Sequence, residues 1–307
     1  MLYSFDGAAE SDRRATQYFE MFCNRGIYHE GWTAVTRHSV PWVTGTALPA
    51  FDDDVWELYE PGDWSQAHDR AAEMPEKLAE LQAHWLDEAK KYNVLPLDDR
   101  RIERFNADLV GRPVLVRGNK QLLFGGMGRL SESSVLNVKN KSHSVTAEIV
   151  VPEDGAQGVI IAQGGAFAGW SLYAKAGKPA YCYNLLGLQR FKIEGDAALP
   201  PGTHQVRMEF AYDGGGLAKG GTVTLYVDGA QVGEGRVEGT VPMIFSGDET
   251  TDVGSDNATP VSDDYGAGDN AFNGRVEWVQ IDLGEDAEDA DHLITPDERL
   301  RVAMARQ

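Results

Sequence analysis

The chain has 307 residues, of which 48 are acidic and 28 are basic, so its formal net charge is −20. Such a surface repels phosphate backbones and anionic headgroups, which argues against nucleic-acid binding and against binding to an anionic membrane surface. The apolar fraction of 42% and the charged fraction of 25% are typical of a soluble globular protein, and the length allows two domains.

The sequence contains no run of eighteen apolar residues, so no transmembrane helix is predicted. Its start, MLYSFDGAAESDRR, lacks the basic end and the apolar middle of a secretory signal peptide. As written, the chain is expected in the cytoplasm, whereas a longer chain with an upstream signal would be periplasmic or secreted. Cys23 and Cys182 lie far apart in unlike contexts, and we expect two buried thiols.

Three regions differ in composition and in predicted secondary structure. Residues 1–104 mix short aromatic strands with one helix, residues 105–284 are rich in strands and glycine, and residues 285–307 form an acidic, partly helical tail. The predicted fold class is therefore α+β: a small antiparallel sheet with a packing helix, followed by an antiparallel, jelly-roll-like β-sandwich.

The first region begins with a strand–turn–strand pattern, IYHEGWTAV, with Gly31 at the bend, and WELYEP (56–61) reads as another short strand. A helix is predicted from Pro75, because proline suits the first helical position. Apolar residues then recur at steps of three and four, which indicates one buried helical face: Leu78, Leu81, Trp85, Ala89 and Tyr92.

The second region is a series of short strands with glycine turns. SVTAEIVV (144–151) alternates apolar and polar residues, and Asp228-Gly229 between two strands is the best hairpin signal in the chain. No helical pattern separates the strands, which favours an antiparallel sandwich over parallel βαβ units. RVEWVQIDL (275–283) ends the series.

Residues 19–32, FEMFCNRGIYHEGW, hold the residue types of an active site, with Cys23 close to His29 and Glu30. A cysteine nucleophile requires a histidine base in contact with it, and six residues along a strand do not establish that contact. A buried thiol in a hairpin is the favoured interpretation. The chain has no HExxH, GxSxG or strand-linked GxGxxG motif.

Residues 246–265 are rich in carboxylates that could bind calcium through oxygen: Asp248, Glu249, Asp252 and Asp256. Their spacing is not that of an EF-hand, and in an acidic protein a solvated loop is the alternative. The second region also contains aromatic residues that would either stack on sugar rings or fill the core: Trp170, Tyr173, Tyr181 and Tyr183.

Several segments resemble the C-terminal part of a bacterial-type arylsulfatase, in the alkaline-phosphatase-like type I sulfatase family. They are QYFEMFCNRGIYHEGWTAVTRHSVPW (17–42), VWELYEPGDWSQAHDRAAEMPEKLAEL (55–81), WLDEAKKYNVLPLDDR (85–100), FAYDGGGLAKGGTVTLYVDG (210–229) and FSGDETTDVGSDNATPVSDDY (245–265). Cys23 stands where that family usually has glycine.

The resemblance implies a fragment that completes the fold and the pocket rim of a sulfuric ester hydrolase. The family's formylglycine nucleophile and its calcium ligands would lie before Met1, so no catalytic residue, cofactor or metal ligand is assigned here, and the chain alone is expected to be inactive. A missing N-terminal sulfatase core would be its partner. Four residues are candidates for a rim that attracts a sulfated small molecule or glycan: Arg25, His29, Arg37 and His38.

Two alternatives remain open at this point. In the first, the sandwich is a non-catalytic glycan-binding module, with or without calcium at the acidic loop. In the second, the chain assembles with a separately encoded sulfatase core. In the second case an exposed apolar patch should mark the surface where that core packs.

Overall fold

A computed structural model describes residues 15–40 and 47–284. The chain divides into two compact units, residues 1–102 and 103–307. The predicted tail at residues 285–307 lies outside the described residues. Within the described ranges, none of the helices combines the length and the apolar character needed to cross a membrane.

The first unit contains a four-stranded antiparallel sheet in the order β1-β2-β3-β4. Its strands are β1 (Thr16–Met21), β2 (Asn24–His29), β3 (Trp32–Thr36) and β4 (Trp56–Tyr59). Two-residue turns with positive φ at both positions join β1 to β2 and β2 to β3, and this geometry matches the twist of the paired strands. The second of these turns is Glu30-Gly31, at the bend that the sequence predicts.

Helix α1 (Pro75–Lys91) covers one face of this sheet and begins at the predicted proline. Three side chains of its apolar stripe are buried, and they pack with three sheet residues in one cluster: Leu81, Trp85 and Ala89 with Ile27, Ala34 and Leu58. The indole N–H of Trp85 donates a hydrogen bond of 3.0 Å to the carbonyl of Phe19, so the middle of the helix is also fixed to β1 by a polar contact.

The second unit is an antiparallel β-sandwich, which confirms the predicted fold class. One sheet has six strands in the order β13-β12-β11-β6-β15-β5, and the other has five in the order β10-β9-β8-β7-β14. The bounds are α2 (Ala107–Val110), β5 (Lys120–Phe124), β6 (His143–Val151), β7 (Gly158–Gly164), β8 (Gly169–Lys175), β9 (Lys178–Leu185), β10 (Gln189–Glu194), β11 (Gly202–Tyr212), β12 (Gly221–Val227), β13 (Ala230–Val237), β14 (Thr251–Val253) and β15 (Arg275–Leu283).

The core of the sandwich lies between the two sheets. In β6 the residues of one alternation, Val145, Ala147 and Ile149, are fully buried, and they belong to the same cluster as Trp170 and Leu172 of the five-stranded sheet. Burying each large apolar side chain stabilises the fold by roughly 1.5–3 kcal/mol. Successive side chains of a strand point to opposite faces, so the face that carries the apolar residues is the one that points inward.

The four aromatic residues for which the sequence left sugar stacking and core filling open are buried in core clusters. Trp170, Tyr181 and Tyr183 lie in the core between the sheets, and Tyr173 is buried on the opposite face of its sheet. None of the four is more than 4% exposed. A ligand surface on this unit must therefore be formed by other residues.

Candidate functional site

Arg25 and His38 share one carboxylate inside the first unit. The Arg25 guanidinium forms an ion pair with Asp54, and the Nδ1 atom of His38 lies 2.9 Å from an oxygen of the same carboxylate. The side chains of His38 and Asp54 are almost fully buried, and the guanidinium also lies over the rings of Phe51 and Trp56 at 5.3–5.4 Å. Arg25 of β2 and His38, just after β3, are thus both engaged in holding the segment before β4.

The other two rim candidates lie elsewhere. His29 is the last residue of β2, and its ring stacks on His84 of helix α1 with 4.3 Å between ring centroids. Arg37 is exposed just after β3. The structure therefore brings together Arg25 and His38, while His29 belongs to a different cluster at the far end of β2.

The acidic loop at residues 246–265 uses its carboxylates as internal hydrogen-bond acceptors. Asp252 accepts bonds from the backbone N–H of Arg129 at 2.6 Å and from the side-chain amide of Asn257 at 2.7 Å. Glu249 accepts a bond of 2.5 Å from the hydroxyl of Thr259, and exposed Asp248 accepts one of 3.1 Å from the hydroxyl of Ser246. Among the described residues, these four candidate calcium ligands do not form a convergent group.

Asp256 is the most buried of these carboxylates together with Asp252, each being 2% exposed. Burial raises the pKa of Asp256 to about 6, although the backbone N–H of Val261 and the hydroxyl of Tyr265 donate hydrogen bonds that oppose the rise. These two hydrogen bonds join Asp256 to residues five and nine positions further along the same loop.

Asp264 fastens the same loop to the outer face of the five-stranded sheet. Its carboxylate accepts bonds from the Tyr173 hydroxyl at 2.6 Å and from the ammonium groups of Lys175 and Lys192 at 2.7 and 2.9 Å. Burial alone would raise the pKa of Asp264, but these donors outweigh it and lower that pKa to about 2. Val261 packs with Tyr173 under the loop, so this face of the sheet is covered.

An open cleft of about 740 Å³ lies elsewhere on the second unit. Three segments and Leu283 of β15 line it: the segments are the stretch from Phe105 to Asn119 with α2, residues 131–141 before β6, and residues 244–250 before β14. Apolar side chains with large exposed fractions border it, Phe105 at 53%, Val114 at 42% and Leu115 at 76%. The volume is within the usual range for small-molecule pockets, about 300–1,000 Å³.

One wall of the cleft carries a half-exposed polar group centred on Asp108. Its carboxylate accepts bonds from the Asn137 side-chain amide at 2.9 Å and from the Lys141 ammonium at 2.7 Å. Asn106 positions it, because the Asn106 side chain caps α2 at the N–H of Asp108 and donates a bond of 2.8 Å to the carbonyl of Pro242.

A second polar group in the cleft is largely buried. Lys139 forms an ion pair with Glu132, and the other carboxylate oxygen of Glu132 accepts a bond of 2.9 Å from the backbone N–H of Phe245. The Lys139 ammonium also lies 4.8 Å from the centre of the Phe245 ring. This pair joins two of the three lining segments.

The sequence reasoning did not identify this cleft. Its signal is the stretch NVKNKSH, in which Asn137, Lys139 and Lys141 occupy alternate positions directly before an apolar strand. The segment turns at Lys139–Asn140, where Asn140 has φ of +60°, so its fold rather than strand alternation brings these polar side chains to the cleft. Their partners, Glu132 and Asp108, reach them only through the fold.

A scan against protein-family models gives no match, and a search of curated proteins gives none. Solved structures similar to this chain include the Ruminococcus gnavus IT-sialidase CBM40 bound to alpha2,6 sialyllactose, with 13% identity, a TM-score of 0.37, and coverage of 62% of this chain and 99% of that one. Domains LG4-5 of the mouse laminin alpha1 chain show 16% identity and a TM-score of 0.33 over 56% of this chain and 41% of that one. A SAP-like pentraxin from Limulus polyphemus shows 14% identity and a TM-score of 0.32 over 53% and 75%.

The expected relationship to an arylsulfatase is wrong. The segments that carry the resemblance match neither a family model nor a curated protein. Of the polar residues in the first of those segments, Arg25 and His38 bind Asp54 within the first unit. A missing sulfatase core is accordingly not supported as a partner.

Proposed function

We propose that the chain is a glycan-binding module that takes a neutral oligosaccharide in the cleft of its β-sandwich. The observation that carries the proposal is the half-exposed group of Asp108, Asn137 and Lys141, held in place by Asn106. The cleft has a volume of about 740 Å³, and apolar side chains border it.

The chemistry of the group suits neighbouring sugar hydroxyls. Each hydroxyl has one donor and two acceptor sites, so it can donate to a carboxylate while it accepts from an ammonium or an amide. Asp108 supplies the acceptor, and Lys141 and Asn137 supply donors on either side of it. Because these side chains already hold one another, binding costs little ordering of the protein.

The charge of the cleft favours a neutral ligand over a sulfated one. The titratable side chains that line it are four carboxylates and three cations: Asp108, Glu132, Asp248 and Glu249 with Arg112, Lys139 and Lys141. The lining side chains of the cleft therefore nearly cancel in charge. The chain as a whole has a net charge of −20, and its negative electrostatic field repels a polyanion.

The test is an array of immobilised neutral and sulfated oligosaccharides, followed by calorimetry on those that bind. We expect binding to neutral glycans, weakened about tenfold or more by Asp108→Asn, since a hydrogen bond to a charged group contributes about 1.5–3 kcal/mol. Asp213→Asn is the matched control, because Asp213 is a similarly exposed carboxylate paired with Arg236 outside the cleft. Absence of binding to every glycan, or equal loss in both variants, would contradict the proposal.

A further inference from the structure

The first unit contains a cluster of three metal-ligating side chains that the proposed glycan site does not use. His29, Glu80 and His84 place their nearest ligand atoms within 4.8 Å of one another. Among the described residues, no other group of three or more histidine, cysteine or carboxylate side chains brings its ligand atoms this close together. It is formed by two elements of one unit, strand β2 and helix α1.

The helix supplies two of the ligands on one face. Glu80 and His84 are four residues apart in α1, and this spacing places their side chains side by side. The His29 ring stacks against that of His84 with 4.3 Å between centroids, so the third ligand approaches the same turn of the helix from the end of β2.

Thr16 provides the outer contact that a metal-binding histidine usually has. Its hydroxyl lies 2.7 Å from Nδ1 of His29, across the β1–β2 pair. A hydrogen bond at one ring nitrogen fixes the ring and leaves the other nitrogen for the metal. In the tautomer in which Nδ1–H of His29 donates to the Thr16 hydroxyl, Nε2 is the unprotonated nitrogen and serves as the ligand atom.

The geometry points to a divalent transition-metal site, with Zn²⁺ as the principal ion, bound by Nε2 of His29, the carboxylate of Glu80 and an imidazole nitrogen of His84. Two imidazoles and one carboxylate are a usual zinc donor set, with a fourth position left for water. Tetrahedral zinc with bonds of about 2.1 Å requires ligand atoms about 3.4 Å apart. Since these atoms all lie within 4.8 Å of one another, no pair has to close by more than about 1.4 Å as the ion binds.

The side chain that competes for Glu80 is weakly held. The Lys77 ammonium lies 2.8 Å from Glu80, in an ion pair where the side chains are 23% and 47% exposed. Exposed pairs of this spacing on a helix are worth little, and a zinc ion displaces the lysine at small cost. With the ion in place, the end of β2 is tied to α1 through metal bonds.

The experiment is a titration of the whole chain with ZnCl₂ against a chromophoric zinc indicator. We expect one zinc ion per chain, at least a tenfold loss of affinity in His84→Ala and His29→Ala, and a higher thermal midpoint when zinc is added to the unchanged protein. His68→Ala is the matched control, since His68 is an exposed histidine of the same unit beside Asp63. Calcium chloride at the same concentration should not compete.

A second measurement keeps the test decisive if a variant fails to fold. Nitrogen-15 spectra of the histidine rings in the unchanged protein should show Nε2 of His29 and one nitrogen of His84 shifting on addition of zinc, while the ring of His68 does not move. No zinc binding, affinity unchanged in both histidine variants, or ring shifts confined to other histidines would overturn the assignment.

Discussion

The ammonium of Lys139 forms an ion pair with the carboxylate of Glu132 in the wall of the sandwich cleft, where the two side chains are only 4% and 16% exposed. Burial lowers the pKa of Lys139, and Glu132 opposes that shift. The same carboxylate accepts a bond from the N–H of Phe245, so one residue holds two lining segments together.

Glu132→Gln should destabilise the second unit by about 3 kcal/mol, because it leaves a buried ammonium without its counter-charge while it keeps an oxygen for Phe245. Urea denaturation measures the loss. The double change with Lys139→Met should cost clearly less than the sum of the two single changes. Additive costs would show that the pair does not act as a unit.

Asp264→Asn should destabilise the protein at pH 7 by about 2 kcal/mol and have little effect at pH 2. The folded pKa of Asp264, about 2, lies below the ordinary value, so its contribution is complete above about pH 4 and is lost as the pH falls through 2. Unfolding free energies across this range check the window. Asp263→Asn, at a carboxylate whose side chain is 66% exposed and which also pairs with Lys192, is the control and should cost less.

Asp256→Asn should have the opposite effect. The folded pKa of Asp256 is raised to about 6, so the folded state holds a proton that the unfolded state releases between about pH 4 and 6, and the stability of the unchanged protein falls as the pH rises through that window. The variant should be equally stable at pH 4 and more stable by up to about 3 kcal/mol at pH 7. A difference that is independent of pH would contradict this.

Glu30→Asn should stabilise the first unit by up to about 1 kcal/mol. Glu30 is exposed with φ of +48° in the turn before Gly31, a backbone conformation that disfavours most side chains, whereas Asn-Gly is the preferred pair in such turns. Thermal denaturation measures the gain. Glu76→Asn, at an exposed acid in the first turn of α1, changes the same side chain where φ is helical and should give no gain.

The sequence predicted the fold well because its signals are local. Pro75 began a helix whose stripe is buried at Leu81, Trp85 and Ala89, and Asp228-Gly229 formed the hairpin between β12 and β13. Period-two alternation in β6 indicated the inward face correctly. Propensity, turn chemistry and periodicity agree at these positions, and such agreement makes prediction reliable.

The sites were harder because their partners meet through the fold. Asp54, which holds both Arg25 and His38, and Asp108, which holds Lys141, are distant from their partners in sequence. His29 was noted for its neighbour Cys23, yet its contacts are Thr16 and His84. The residue types in the sequence were enough to single out these side chains as candidates. Which of them contact one another is decided by the tertiary structure.

The most direct test of the glycan-binding account is a map of backbone amide shifts on addition of the neutral oligosaccharide that binds best on the array. The account predicts shifts concentrated in residues 106–108, 131–141 and 244–250, and their loss in Asp108→Asn. Shifts confined to other surfaces of the sandwich, or no shifts at saturating glycan, would contradict it.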